Sequence, residues 1–172
     1  MWLSVEGLDG TGKTFFINKL KDIDLDTTVV KIGKPEGETI REIVTASLST
    51  EIKFVANLLE LMQDLSIPKL ILQDRGALTT AAYNLYLSSG DSKLTQKILA
   101  HYNKIPKPDI TFYITTALAT AMERLYTRDN LSVKELEKEK KLFLGVAPYF
   151  DMLLKENKQF VIQLSGENKL CF

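Results

Sequence analysis

The sequence holds one cysteine, Cys171, and one histidine, His101. One cysteine excludes an internal disulfide and a cysteine-based zinc cage, and one histidine excludes a histidine-rich metal centre. No apolar run approaches the ~18 residues needed to cross a bilayer. The first residues lack the basic stretch leading into a long apolar one that marks a secretory signal. A soluble, cytoplasmic chain with no membrane partner is therefore expected. Neither charge is in excess: Lys and Arg total 22, as do Asp and Glu. Proteins that grip long nucleic acid carry a basic surplus, so no nucleic acid polymer is expected as partner, and any anionic ligand should be small and locally held. Internal repeats and low-complexity linkers are also missing. What remains is a globular composition, 45% hydrophobic and 26% charged, in 172 residues. That length suits one domain with a core.

Short apolar runs alternate with longer helical patterns. Met1–Val5, Thr27–Ile32, Lys69–Gln73, Ile110–Thr115 and Phe160–Leu164 read as strands. In Glu51–Ser66, Ile52, Val55, Leu59, Met62 and Leu65 recur at spacings of three and four, and Leu58 widens the stripe. Ala77–Ser88, Ser92–Tyr102 and Leu118–Tyr126 read as helices, and Lys134–Leu154 as a long one interrupted around Gly145 and Pro148. Strands that are apolar nearly throughout, alternating with helices, predict an α/β protein: a three-layer αβα domain with a five-stranded parallel sheet. In such sheets ligands bind beyond the carboxyl ends of the strands.

Directly after the first strand runs G-L-D-G-T-G-K-T, Gly7, Leu8, Asp9, Gly10, Thr11, Gly12, Lys13 and Thr14. It satisfies G-x-x-x-x-G-K-[ST] between a strand and a helix-like F-F-I-N-K-L, the context that the pattern requires. Its glycines permit positive φ, so that successive N–H groups can surround phosphate oxygens at the positive end of a helix. Lys13 would supply a point charge for the outer phosphates, and the Thr14 hydroxyl a ligand for Mg²⁺. A polyphosphate such as ATP is the expected ligand.

The third strand ends in Gln73-Asp74-Arg75-Gly76, on the same sheet edge as the phosphate loop. Asp74 can hold a metal-bound water or orient an acceptor, and Arg75 can bind phosphate through its planar fork. Beyond it the chain reads D-R-G-A-L-T-T-A-A-Y-N. K-P-E-G-E-T-I-R-E-I-V and F-V-A-N-L precede it, and K-P-D-I-T-F-Y-I and E-R-L-Y-T-R-D follow. In this order and spacing, from Leu3 to about Tyr149, these segments resemble the thymidylate kinase family of P-loop nucleoside monophosphate kinases.

The resemblance implies transfer of the γ-phosphoryl group of ATP to a deoxynucleoside monophosphate, thymidylate by default, giving the diphosphate. It implies one kinase domain across residues 1–172 with a helical lid at about 124–142. Asp9 matches the family residue near the sugar 3′-hydroxyl and acceptor phosphate, and Arg75 the arginine bridging that phosphate to the transferred group. Phe54 matches the aromatic that stacks on the base, Tyr83 the tyrosine against the 2′ position, and Thr79 and Thr80 small or polar residues near the base. The loop positions Leu8 to Thr11 hold no basic residue, so charge for the γ-phosphate must come from elsewhere. Arg124 and Arg128, one helical turn apart, resemble lid arginines with that task. Lys134, Lys138, Lys140 and Lys141, interleaved with Glu135, Glu137 and Glu139, read as a solvated, salt-bridged face. Family members pair through helices beside the sheet. The Ile52–Leu65 stripe could serve such a homodimer, and core burial explains it equally well.

The sequence also departs from the family. Leu58 stands where an arginine hydrogen-bonds the base, P-E-G-E replaces the segment carrying an acceptor-phosphate arginine, and Ala147 replaces an arginine near the end of the lid helix. A deoxynucleoside kinase of related fold, with Glu36 or Glu38 as base, and a nucleotide sensor without turnover are the competing readings. A different or modified deoxynucleotide is the competing acceptor. If the pocket otherwise matches the family, Leu58→Arg should raise kcat/KM for thymidylate. An unchanged kcat/KM for every pyrimidine monophosphate would show that Phe54 is misaligned.

Overall fold

The computed structural model describes residues 1–22, 27–31, 70–156 and 160–167. Phe54, Leu58, the Glu51–Ser66 helix with its pairing stripe, and Glu36 and Glu38 lie outside the described residues. In chain order the described elements are β1 (Trp2–Glu6), α1 (Lys13–Lys21), β2 (Thr27–Lys31), β3 (Leu70–Asp74), α2 (Ala77–Leu87), α3 (Ser92–Lys104), β4 (Ile110–Thr115), α4 (Leu118–Asp129), α5 (Val133–Glu156) and β5 (Phe160–Ser165). The strands form one sheet in the order β2-β3-β1-β4-β5, with every neighbouring pair parallel. This is the expected α/β architecture.

The sheet is covered on both faces. On one, Leu3, Val5, Phe16, Ile17, Leu72 and Ile114 form a core under α1, with Phe16 and Phe112 rings 5.1 Å apart. On the other, Ala81, Ala82 and Leu85 of α2 meet Ile98 and Tyr102 of α3 and Val146, Phe150 and Leu153 of α5. Tyr113 of β4 joins this second core by stacking on Phe150 at 5.3 Å. The alternation of Phe112 and Tyr113 between the two cores is the period of two expected of a strand buried on both faces.

The helix boundaries have local causes. Asp91 caps α3 by accepting from the Leu94 N–H at 3.0 Å. Ser132 and Glu135 form a reciprocal capping box at the start of α5: Glu135 accepts from the Ser132 N–H and hydroxyl, and its own N–H reaches the Ser132 hydroxyl. Asn130, in the left-handed region at φ 48°, ends α4. That helix runs past the expected Tyr126 to Asp129, so Arg128 sits on its last turn.

The interruption expected near Gly145 and Pro148 does not occur, and α5 is continuous. Pro148 offers no N–H to the Leu144 carbonyl, but both residues are exposed and water can serve that oxygen. Gly145 is there for packing: a Cβ would stand 2.2 Å from Cε2 of Tyr86 on α2. Gly145→Ala should therefore lower stability by ~1–2 kcal/mol, overpacking outweighing the gain in helix propensity. Thermal melting of the variant several degrees below wild type is the expected result, and an unchanged melting temperature would contradict the close approach of α2 and α5.

Candidate active site

The helix after β1 lies on one face of the sheet and the helices after β3 on the other. The chain thus reverses direction across the sheet between these adjacent strands, and a crevice opens at their carboxyl ends. The register pairs Val5 with Asp74, so the phosphate loop and Arg75 emerge side by side. This is the adjacency expected from sequence.

Gly10 and Gly12 take φ 79° and 101°, conformations that suit glycine, and a Cβ on Gly10 would meet the Ala121 carbonyl at 2.5 Å. Gly12 is the N-cap of α1, with no side chain capping it. The first N–H groups of α1 therefore face the crevice without side-chain competition, at the positive helix end. Thr11 closes the loop by donating to the Leu8 carbonyl at 2.8 Å. Lys13, only 6% exposed, donates to the same carbonyl at 2.7 Å. Burial, with a smaller contribution from Arg75, lowers its pKa to about 8, against the opposing pull of Asp9, Asp74 and Glu6.

Opposite the loop, Arg75 donates through Nη2 to Asp9 Oδ1, and the Tyr83 hydroxyl donates to Asp9 Oδ2 at 3.3 Å. Burial works against charge on Arg75, but Asp9 and its hydrogen bond prevail and raise the pKa above the ordinary value. Burial and then Asp9 raise the Tyr83 pKa, so the phenol stays a donor. A guanidinium has five donors, and one bond to Asp9 does not exhaust them.

An open cleft of about 640 Å³ runs from Gly10, Gly12, Lys13 and Thr14 past Asp9, Asp74 and Arg75 to Thr120, Glu123, Arg124, Thr127 and Arg128 of α4. A second recess of about 400 Å³ shares Asp9, Arg75 and Arg128 with it and is closed by Leu125, Leu131, Asp129 and Glu139. The structure therefore brings Asp9, Gly10, Gly12, Lys13, Thr14, Asp74, Arg75, Arg124 and Arg128 to one place. Tyr83 touches the group through Asp9.

Arg124 and Arg128 share the cleft but differ in their partners. Arg124 donates to the carbonyls of Gly10 at 3.2 Å and Gly166 at 2.7 Å, tying α4 to the phosphate loop and to the turn after β5. Arg128 pairs with Asp129 through Nε at 2.7 Å and Nη2 at 2.6 Å. That bond raises the Arg128 pKa and lowers that of Asp129. Both are well exposed, so the pair itself adds little stability.

Thr79, expected beside the base, is 4% exposed and spends its hydroxyl and N–H on Glu6. It packs beneath the loop and does not line the cleft; the reason is its place on the first turn of α2, against β1. Thr80 is half-buried, and its carbonyl accepts from Asn84. Two residues of the site carry no signal in the sequence pattern. Glu6 belongs to no motif. Glu139 stands in a row that reads as solvated, yet it borders the recess, and burial followed by repulsion from Asp9 and Asp129 raises its pKa. The lysines of that face, Lys134, Lys138, Lys140 and Lys141, are exposed as expected.

A family profile described as thymidylate kinase matches residues 5–170. The chain belongs to the thymidylate kinase family. Among its relatives, the thymidylate kinase of Fervidobacterium nodosum is 30% identical over 94% of this chain and 89% of its own length. That of Chlorobium limicola is 26% identical over 94% and 86%. A solved thymidylate kinase from Candida albicans shares the fold at TM-score 0.68 and 19% identity, covering 97% of this chain and 84% of its own. A deoxyadenosine kinase from M. mycoides does so at 0.72 and 18%, covering 98% and 92%. As a member of the thymidylate kinase family the chain is a phosphotransferase of the nucleoside monophosphate kinase type, with ATP as phosphate donor.

The state of Lys13 gives this thymidylate kinase relative a testable pH signature. Between about 8 and 10.5 the folded chain holds Lys13 neutral while the unfolded chain holds it protonated. Ligand-free stability should therefore rise with pH across that window. Polyphosphate favours the ammonium, so ATP binding should take up a proton there, and affinity should fall as pH rises. Calorimetry in buffers of different ionisation heat should show the uptake in wild type and not in Lys13→Met. Equal proton exchange in both would remove Lys13 from the phosphate site.

Proposed function

We propose that this protein transfers the γ-phosphoryl group of ATP to the 5′-phosphate of a deoxynucleoside monophosphate, thymidylate first, yielding ADP and the deoxynucleoside diphosphate. The observation that supports this most is the buried Lys13 at the head of α1, sharing one cleft with Asp9 and Arg75, which Tyr83 joins through Asp9. The donor tail lies along the loop, with Gly7, Gly10, Thr11, Gly12, Lys13 and Thr14 about its phosphates. The acceptor lies on the side of Asp9, Arg75 and Tyr83, with Phe54 at its base.

An acceptor phosphate oxygen attacks the γ-phosphorus while the bond to the β–γ bridging oxygen breaks. The attacking oxygen is already anionic, so no side chain need remove a proton. The work of the protein is positioning and charge. Lys13 and Arg75 face the charge that builds on the transferred group. Arg128, on the last turn of α4, adds to it by exchanging Asp129 for phosphate. Arg124 holds the loop in shape through the Gly10 carbonyl. Tyr83 holds the Asp9 carboxylate on its second oxygen, so that Asp9 presents a fixed acceptor to the sugar.

Mg²⁺ fits this donor set. Thr14 and Asp74, two hard oxygen donors, line the same cleft, and no cluster of three or more metal-ligating side chains occurs among the described residues. That is the pattern of an ion carried largely by phosphates and water. Bound there, Mg²⁺ would neutralise charge on the donor phosphates.

Incubation with ATP, Mg²⁺ and a panel of nucleosides and monophosphates should give diphosphate from monophosphates. Lys13→Ala should lower the rate by at least about 100-fold. Phosphorylation of free nucleosides alone would replace this reading with a nucleoside kinase, equal rates in wild type and Lys13→Ala would refute the catalytic role of Lys13, and no turnover with any acceptor would leave a nucleotide-binding protein.

A further inference from the structure

Glu6 ends β1 immediately before the phosphate loop, yet it is 1% exposed and does not line the cleft. Its carboxylate accepts from the Ser4 hydroxyl at 2.6 Å, the Thr79 hydroxyl at 2.5 Å and the Thr79 N–H at 3.1 Å. A buried carboxylate persists only where such bonds repay its lost hydration. Thr79 is the third residue of α2, whose N-cap Gly76 supplies no capping side chain. Its N–H is one of those that a helix start leaves unpaired, at the positive helix end. Glu6 therefore caps α2 from a different element.

The cap sits against a strained turn. Arg75 has φ 66°, a left-handed conformation that a residue with a side chain keeps only when its surroundings hold it. Its N–H donates to the Val5 carbonyl at 3.0 Å. Gly76 is pressed so closely on Glu6 that a Cβ would stand 2.6 Å from its Oε1. Consecutive residues of β1 thus pin both ends of the turn, the Val5 carbonyl at Arg75 and the Glu6 carboxylate at the head of α2. The same strand runs into the phosphate loop, and α2 carries Tyr83.

We propose that Glu6 is a positioning residue that locks the acceptor side of the site to the donor side, setting Arg75 and Tyr83 over Asp9 through the head of α2. This rests on the phosphotransfer reading above. The three bonds to Glu6 make it separable from a general role in folding. The bond from Ser4 lies within β1, whereas those from Thr79 join β1 to α2.

Thr79→Ala should therefore lower kcat/KM for thymidine monophosphate roughly 10-fold, with the ATP Kd from calorimetry within about twofold. Thr79→Ser should restore wild-type values, and Ser4→Ala should leave both constants within about twofold. Glu6→Gln should show the Thr79→Ala split more strongly where it folds; the Thr79 and Ser4 variants decide the matter where it does not. Amide exchange at Arg75, Ala77 and Leu78 should accelerate in Thr79→Ala while that of the phosphate loop stays unchanged, a readout that needs no turnover. Equal effects of Thr79→Ala and Ser4→Ala, a parallel loss of ATP affinity, or unchanged exchange at Arg75 would overturn the proposal. Wild-type protein that makes no diphosphate from any monophosphate would instead overturn the functional reading, with the exchange result still deciding the role of Glu6.

Discussion

The Lys13 ammonium is nearly out of contact with water, and its hydrogen bond to the Leu8 carbonyl belongs to the loop that surrounds it. Burial lowers its pKa, so the fold works against a charge that a polyphosphate would favour. The N–H groups at the head of α1 likewise have no capping side chain, because Gly12 supplies none. Much of the rest of the molecule follows from keeping this loop in place: β1 brings it to the centre of the sheet, α4 presses Ala121 against Gly10, and Arg124 ties it to the turn after β5.

The Asp9–Arg75–Tyr83 group is assembled differently, from side chains of three elements. Asp9 comes from the loop, Arg75 from the end of β3 and Tyr83 from α2, and they meet through hydrogen bonds to a single carboxylate. Arg75 is held charged by Asp9 in spite of burial. Such an arrangement depends on where the head of α2 stands. This gives the buried Glu6 carboxylate a meaning that its place in the sequence does not disclose.

The junction of α4 and α5 borders the cleft and the recess. Arg128 and Asp129 end α4, Asn130 turns the chain in the left-handed region, and the Ser132–Glu135 capping box restarts it as α5. Glu139, one turn beyond, borders the recess with Asp9 and Asp129, where burial and then repulsion from both carboxylates raise its pKa. Beside it, Arg75 and Arg128 line both the cleft and the recess.

The chain alone determined the strands, the alternation that makes a parallel sheet, the phosphate loop and its lysine, and the closeness of Asp74–Arg75 to that loop. These are consequences of local periodicity and of one rule of sheet topology. Tertiary structure alone decided the rest. It carried α5 unbroken through Gly145 and Pro148, because Tyr86 fills the space beside one and solvent serves the other. It drew Thr79 away from the cleft to Glu6, divided Arg124 from Arg128 by giving the first to backbone carbonyls, and brought Glu139 out of a solvated row into the recess. Except at Pro148, the outcome hung on a partner more than fifty residues away or on another element, and periodicity within a segment carries no information about which distant group will meet a given side chain.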